Sequence, residues 1–301
     1  MTVAEHVARL EGVADGIFAW IQPDGGWCLN NAGVIAGAGP VLIDTAATEA
    51  RARALRAATI EMCGEPPRVV INTHAHGDHT FGNFVFPEAM VVGHAGTRAE
   101  VLQFGLHLTG LWPEVDWGNI TLAPPTTTFQ ERLTLHIGGA RVELLQLGPG
   151  HTTSDTVVWL PDAGVVFTGD VVMSGVTPFC PMGSVAGSLR VVDELRALGA
   201  TTVVTGHGPV SGPEVYDTAE EYLRWLQRLA RDGLAHGRTP LEAARATDNP
   251  YTHLLDPERL VPNLHRAYLE EIGAPAGTPV DMTALFAEMV EFRGSHPRCD
   301  A

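Results

Sequence analysis

Residues 73–79 read Thr73-His74-Ala75-His76-Gly77-Asp78-His79. Four groups able to bind a metal, His74, His76, Asp78 and His79, fall within six positions. A divalent cation of borderline softness takes imidazole nitrogen and carboxylate oxygen at about 2.0–2.2 Å. Farther along stand His151 in Gly150-His151-Thr152-Thr153, Asp170 in Thr168-Gly169-Asp170, and His207 in Thr205-Gly206-His207-Gly208. Each lies close to Gly, which lets the backbone approach closely and fold back. Singly, any of the three is as readily structural as a ligand. Together with the first four they complete two coordination spheres. Two divalent ions about 3.5–4 Å apart acidify a shared water and polarise a carbonyl. Asp78 and Asp170 are then the candidate catalytic carboxylates, offsetting the cationic charge and steering the water proton. Such a centre serves acyl hydrolysis. It serves equally the removal of a proton beside a carbonyl, and hence aldol-type ring closure.

The elements that must position these groups can be read from hydrophobic period and turn residues. Strands are expected at residues 13–21, 27–36 and 40–44, followed by an Ala/Arg-rich helix over 48–63. The β-branched run 68–72 predicts a buried strand whose C-terminal end delivers the His cluster. Val91 and Val92 suggest another strand, and 96–110 a helix. Two hairpins follow, 132–137 with 141–147 across Gly138-Gly139, and 156–160 with 165–168. Residues 184–198 are amphipathic and 202–205 make a strand. From Pro213 the pattern is mostly helical. Strand-rich sections that each end in helices suggest an αββα layering.

The chain has 301 residues, 45% hydrophobic and 18% charged, enough apolar mass for a real core. Net charge is −16 and all 19 cations are Arg. That acidity argues against nucleic-acid binding, which needs a cationic face. No run approaches the ~18–20 apolar residues of a membrane helix. The start, MTVAEHVARLEGV, has neither a cationic nor an apolar stretch of the signal-peptide kind. Cys28, Cys63, Cys180 and Cys299 are far apart in sequence and read as reduced thiols of a cytoplasmic protein.

The metal motifs, in this order, resemble those of the metallo-β-lactamase superfamily over about the first 210 residues. The resemblance implies a four-layer αββα sandwich with a two-metal site at one edge of the paired sheets. It divides the chain into a catalytic core, 1–212, and a helical extension packed on it, 213–301. It implies that His74, His76 and His151 hold the first of two Zn2+ ions. Asp78, His79 and His207 would hold the second, and Asp170 would bridge. Iron is the alternative metal, because imidazole suits both. Asp44, in Leu42-Ile43-Asp44-Thr45, matches the family's early acidic position. It either orients a ligand His or caps the helix that follows.

Asp170 makes the chain resemble the thioesterase, lactonase and glyoxalase branch, because β-lactamases of this fold usually carry Cys or another residue there. His76 is not Glu, against flavodiiron-type oxygen reduction. The absence of Lys disfavours a lysine-containing glutathione-thioester pocket. Persulfide dioxygenases share much of the motif. A closer resemblance is to an actinomycete group that includes aromatic polyketide cyclases. It is carried by residues 22–31 (QPDGGWCLNN), 72–83 (NTHAHGDHTFGN), 175–184 (GVTPFCPMGS), 255–260 (LDPERL) and 263–268 (NLHRAY).

The resemblance implies a zinc-dependent cyclase closing rings by aldol chemistry, with thioester cleavage as a companion activity. A general metallo-hydrolase of thioesters or lactones and an iron-dependent, persulfide-dioxygenase-like oxidoreductase are the alternatives. Trp27, Leu106, Leu111, Trp112, Trp117, Met173, Phe179 and Met182 are expected around the metals. Such side chains suit a flat, apolar or aromatic small molecule, although each is also an ordinary core residue type. His94 follows a strand near the site. His107, His136, His236, His253, His265 and His296 read as surface or structural. An acyl carrier protein is a candidate partner, but such proteins are acidic and so is this chain. The tail from Pro213 either closes the pocket or forms a homodimer contact.

Overall fold

The computed structural model describes residues 8–301. Residues 1–7, part of the segment searched for a leader, lie outside them. Two mixed sheets pack face to face with helices on both outer surfaces, the expected αββα sandwich.

The first sheet has seven strands in chain order. These are β1 (Arg9–Ala14), β2 (Ile17–Ile21), β3 (Ala32–Ile35), β4 (Val41–Ile43), β5 (Val69–Ile71), β6 (Met90–His94) and β7 (Thr127–Phe129). The first four pair antiparallel and the last three join in parallel. The expected strand over 13–21 is two strands, because Asp15-Gly16 turns the chain with Gly16 at φ 68°. The expected strand over 27–36 is only β3. Asp24, Gly25 and Cys28 all take positive φ and fold residues 22–31 into a loop. β7 escaped the sequence reading, its three residues being too short for a periodic signal.

The second sheet runs in the order β12, β11, β10, β9, β8. Its strands are β8 (Arg132–Ile137), β9 (Ala140–Gln146), β10 (Thr156–Leu160), β11 (Val165–Phe167) and β12 (Thr202–Val204). Only β11 and β12 are parallel, and α4 (Val185–Leu198) makes the crossover between them. Residues of β10 and β11 are all buried because both faces of the sheet are covered. The inter-sheet core joins Ile17, Ile35, Ile43 and Ile71 to Leu144, Val158, Phe167 and Val204. Gly33 is required there: a Cβ on it would lie 2.6 Å from the Phe167 ring.

α1 (Glu49–Cys63) covers the first sheet through Ala52 and Leu55. Thr48 caps its start, accepting from Arg51 N, and Gly64 ends it in the left-handed region. α2 (Gly77–Thr80) is a single turn that opens inside the His cluster. α3 (Ala95–Phe104) is shorter than the expected 96–110 because Gly105 leaves helical geometry. The tail forms α5 (Val215–Ala235), α6 (Pro240–Ala246), α7 (Leu260–Glu271) and α8 (Met282–Arg293). Tyr222, Leu223 and Leu226 of α5 pack against Leu260, Leu264 and Ala267 of α7. α8 instead sends Phe286 and Met289 into a cluster with Trp27, Phe81 and Trp112. Among the described residues no helix is long and apolar enough to cross a membrane.

Candidate metal centre

All seven proposed ligands converge where the loops after β4, β5, β9, β11 and β12 meet. Their donor atoms form two groups, His74, His76, His151 with Asp170, and Asp78, His79 with His207; within each group all lie inside 4.8 Å. Four of the five imidazoles are held from behind. His74 Nδ1 donates to Thr73 Oγ1 at 3.0 Å, His79 Nδ1 to Asp44 Oδ2 at 2.8 Å and His207 Nδ1 to the Gly25 carbonyl at 3.0 Å. His151 Nδ1 donates to the Phe179 carbonyl. A ring that donates through Nδ1 presents an Nε2 lone pair to the centre. His76 is the exception and presents Nδ1, 3.1 Å from His74 Nε2 and 2.8 Å from His151 Nε2.

Three ring nitrogens thus converge on one buried point, an arrangement that a cation would fill. Buried polar atoms point the same way: His79 Nε2 and Asp170 Oδ1, though close to each other, make no hydrogen bond of proper geometry with any group. Asp170 lies between the groups, with Oδ1 3.1 Å from His79 Nε2. Its Oδ2 is 3.3 Å from His207 Nε2 and 3.5 Å from His151 Nε2. Asp78 Oδ2 is 3.2 Å from His207 Nε2. The donor set, five imidazoles and two carboxylates, fits a dinuclear metal site.

Electrostatics distinguish the halves. Burial lowers His74, His76 and His151, His76 to about 3, so these rings are neutral without metal. Burial would depress His79 and His207 too, but Asp170 and Asp78 override it and raise both, His207 to about 9. Asp78 falls to about 2: burial opposes its ionisation, and the charges of His79 and His207 win. Asp44 settles its two readings. It accepts from Thr73 N at 2.8 Å, Thr73 Oγ1 at 2.7 Å and His79 Nδ1, while Thr48 caps α1. It orients ligands.

The metallo-β-lactamase superfamily model matches residues 25–207, more than half the chain. The chain belongs to the metallo-β-lactamase superfamily. Among relatives, it is 26% identical over 240 residues to a linear primary-alkylsulfatase of Pseudomonas sp., covering 66% of this chain and 44% of the relative. It is 29% identical to a hydroxyacylglutathione hydrolase of Mesorhizobium japonicum, covering 68% of this chain and 71% of the relative. The chain thus spans less than half the length of the alkylsulfatase. A metallo-β-lactamase structure from Pontibacter korlensis superposes with a TM-score of 0.60 at 20% identity, covering 72% of this chain and 99% of that one. That likeness is one of fold.

In this superfamily member the metal centre floors a cavity of about 340 Å³. Trp27, Met173, Phe179 and Met182 line it as expected, and so does Leu111. Leu106, Trp112 and Trp117 do not. Leu106 is 39% exposed on the surface. Trp112 is fully buried behind the wall, its indole N–H on the Pro297 carbonyl at 2.7 Å. Trp117 donates to the Trp112 carbonyl and stacks edge-on to Phe81. Both are core, because their N–H groups find partners only there. His94 caps α3 through Nδ1 and does not line the cavity, whereas His107 does.

Sequence reasoning missed the residues the tail supplies: Arg259, Met282, Phe286 and Met289 all line the cavity. The i, i+3 pair Phe286 and Met289 was the available signal for a buried face on α8. Arg259 carries no such mark. It is 2% exposed, its guanidinium 4.1 Å from the Trp27 ring centroid and paired with Asp256 at 3.0 Å.

Proposed function

We propose that the chain is a dinuclear zinc enzyme acting at a carbonyl of a flat, apolar acyl substrate. The reaction we assign is aldol-type ring closure of a polyketide-derived intermediate, with thioester cleavage at the same centre. The observation that carries this reading is the placement of both donor groups, through His76, Asp78, His151, Asp170 and His207, at the floor of a cavity walled by Trp27, Phe81, Phe104, Phe179, Phe286 and methionines. Bound zinc would polarise the carbonyl and acidify water or a carbon acid beside it.

The chain's own groups do the rest. Asp170 and Asp78 offset the metal charge and receive a proton at a free carboxylate oxygen. Asp44, Thr73 and the carbonyls of Gly25 and Phe179 hold the imidazoles with Nδ1–H turned outward and Nε2 toward the centre. The aromatic wall orients a planar chain by stacking and excludes bulk water from the reacting carbonyl.

General hydrolysis of thioesters or lactones is the second reading, favoured by the similarity to hydroxyacylglutathione hydrolase across most of that enzyme's length. The test is one assay on metal-analysed protein. Ring closure of poly-β-ketone thioesters supports the first reading. Rapid turnover of aryl thioesters and lactones with inert polyketides supports the second. One iron per chain and no zinc would sink the zinc assignment and move the reading to an iron oxidoreductase. Ring closure from a free thioester at the rate seen on acyl carrier protein would remove the carrier as partner.

A further inference from the structure

Cys28 and Cys299, 271 positions apart in sequence, meet in the fold as free thiols. Trp27 and Cys299 form a parallel β-bridge. The two thiols are close enough to perturb each other, the pairing raising Cys28 and lowering Cys299. Both sulfurs belong to the cluster that contains Trp27, Trp112 and Phe286. Cys28 is 3% exposed and lines the cavity, while Cys299 is partly exposed. The segment carrying Cys299 is already docked. Trp112 Nε1 donates to the Pro297 carbonyl at 2.7 Å, and Arg51 Nη2 to the Asp300 carbonyl at 2.5 Å. The bridge pairs Trp27 with Cys299, so Cys28 lies one residue from the bridged position, and its φ of 62° takes it out of strand alternation. The remaining thiols have no such partner: Cys63 ends α1, and Cys180 is buried against Asn263.

We infer that Cys28 and Cys299 form a peroxide-responsive dithiol site whose oxidation fastens the C-terminal segment to the loop that walls the metal centre. The chemistry balances with hydrogen peroxide as oxidant. Cys299, the more accessible sulfur, forms an S–O bond as the O–O bond breaks, giving a sulfenic acid and one water. Cys28 sulfur then attacks Cys299 sulfur, the S–O bond breaks, and the second water leaves with the Cys28 proton. Two thiols have lost two electrons and two protons to one peroxide. The linked loop is the one whose Gly25 carbonyl holds His207 Nδ1, so the link stiffens the support of a metal ligand.

Metal-loaded protein is treated with a small molar excess of hydrogen peroxide, denatured, alkylated and mapped by peptide mass. The four thiols should fall to two, with a Cys28–Cys299 cross-linked peptide that dithiothreitol dissolves. The Cys299→Ser variant should keep Cys28 alkylatable and lose the cross-link. Oxidised wild-type protein should release its metal to a chelator severalfold more slowly than reduced protein. Persistence of both thiols while Cys63 oxidises, or a link through Cys63 between chains, would overturn the site. Equal release from both forms would overturn its action on the metal centre. Thiol counts do not depend on which substrate the enzyme takes.

Discussion

Asp44 Oδ2 accepts the Nδ1–H of His79 at 2.8 Å, and the same oxygen accepts the Thr73 hydroxyl at 2.7 Å. That hydroxyl in turn faces His74 Nδ1 at 3.0 Å. One carboxylate therefore sets the tautomer of two imidazoles, one in each half of the centre. Asp44 sits at φ 61°, a region that Asn enters nearly as readily as Asp. Asp44→Asn should therefore fold normally. It should lower metal affinity at the Asp78, His79, His207 group about 10–100-fold, with a smaller loss at the other group. Calorimetric metal titration of apo-protein measures both. Equal losses at the two groups, or none, would contradict the orienting role.

Metal loading should depend on pH in one half only. His74, His76 and His151 are already neutral in the apo-protein, so a cation displaces no proton there. His79 and His207 are held protonated by Asp170 and Asp78, and a metal must expel those protons. Affinity of the second group should rise with pH until His207 titrates at about 9, while the first stays flat. At about pH 6 apo-protein should take up one equivalent readily and the second weakly. The same shift fixes a stability trend for apo-protein. A raised His207 contributes stability fully below its ordinary value of 6.5, and that contribution is lost as pH rises through about 9. Stoichiometry by atomic emission and melting curves across this range check the two trends. Equal pH slopes at both groups would exclude the assignment.

The candidate metal ligands were legible because ligation demands particular residue types at short spacing, and His74, His76, Asp78 and His79 display both. The long strands, α1 and α4 were legible through hydrophobic period, while their caps, Thr48 and Ser184, emerge only in the fold. The loop at 22–31 was not, because its apolar residues suit a strand, and only the positive φ of Cys28 shows that the chain turns. The cavity wall was half legible. Apolar type cannot say whether Trp112 faces a substrate or Phe286. Arg259 and Cys299 reach the site through long-range packing of the tail, which no local pattern encodes.

Gly206 should be indispensable to the centre. A Cβ there would lie 1.9 Å from Asp170 Oδ1 and 2.7 Å from the Gly169 carbonyl carbon. Gly206→Ala must push the Asp170 carboxylate, which would bridge the two metals, away from both donor groups. Bound metal should fall in both halves, as in Asp170→Ala, while circular dichroism stays native. A fully loaded Gly206→Ala protein would show that Asp170 does not serve both groups.

Trp112 should behave as core rather than as wall. It is fully buried between Trp27 and Phe286. Trp112→Ala should cost about 3–5 kcal/mol of stability, read as a large fall in the denaturant midpoint. Met182→Ala, at the cavity surface, should leave that midpoint nearly unchanged. Similar midpoints for the two variants would contradict the placement of Trp112.

Substrate selectivity should reside partly in the tail. Met282 lines the cavity from α8 and touches none of the seven metal donors through a hydrogen bond. Losing a methionine's worth of apolar contact from a substrate wall weakens transition-state binding about tenfold or more. Met282→Ala should therefore lower kcat/KM for bulky aromatic acyl substrates by that factor. Acetyl-sized substrates, too short to reach α8, should keep their rate. Metal content should match wild type, which separates a wall effect from damage to the centre. A uniform loss across acyl sizes would mean that α8 supports the fold without selecting the substrate.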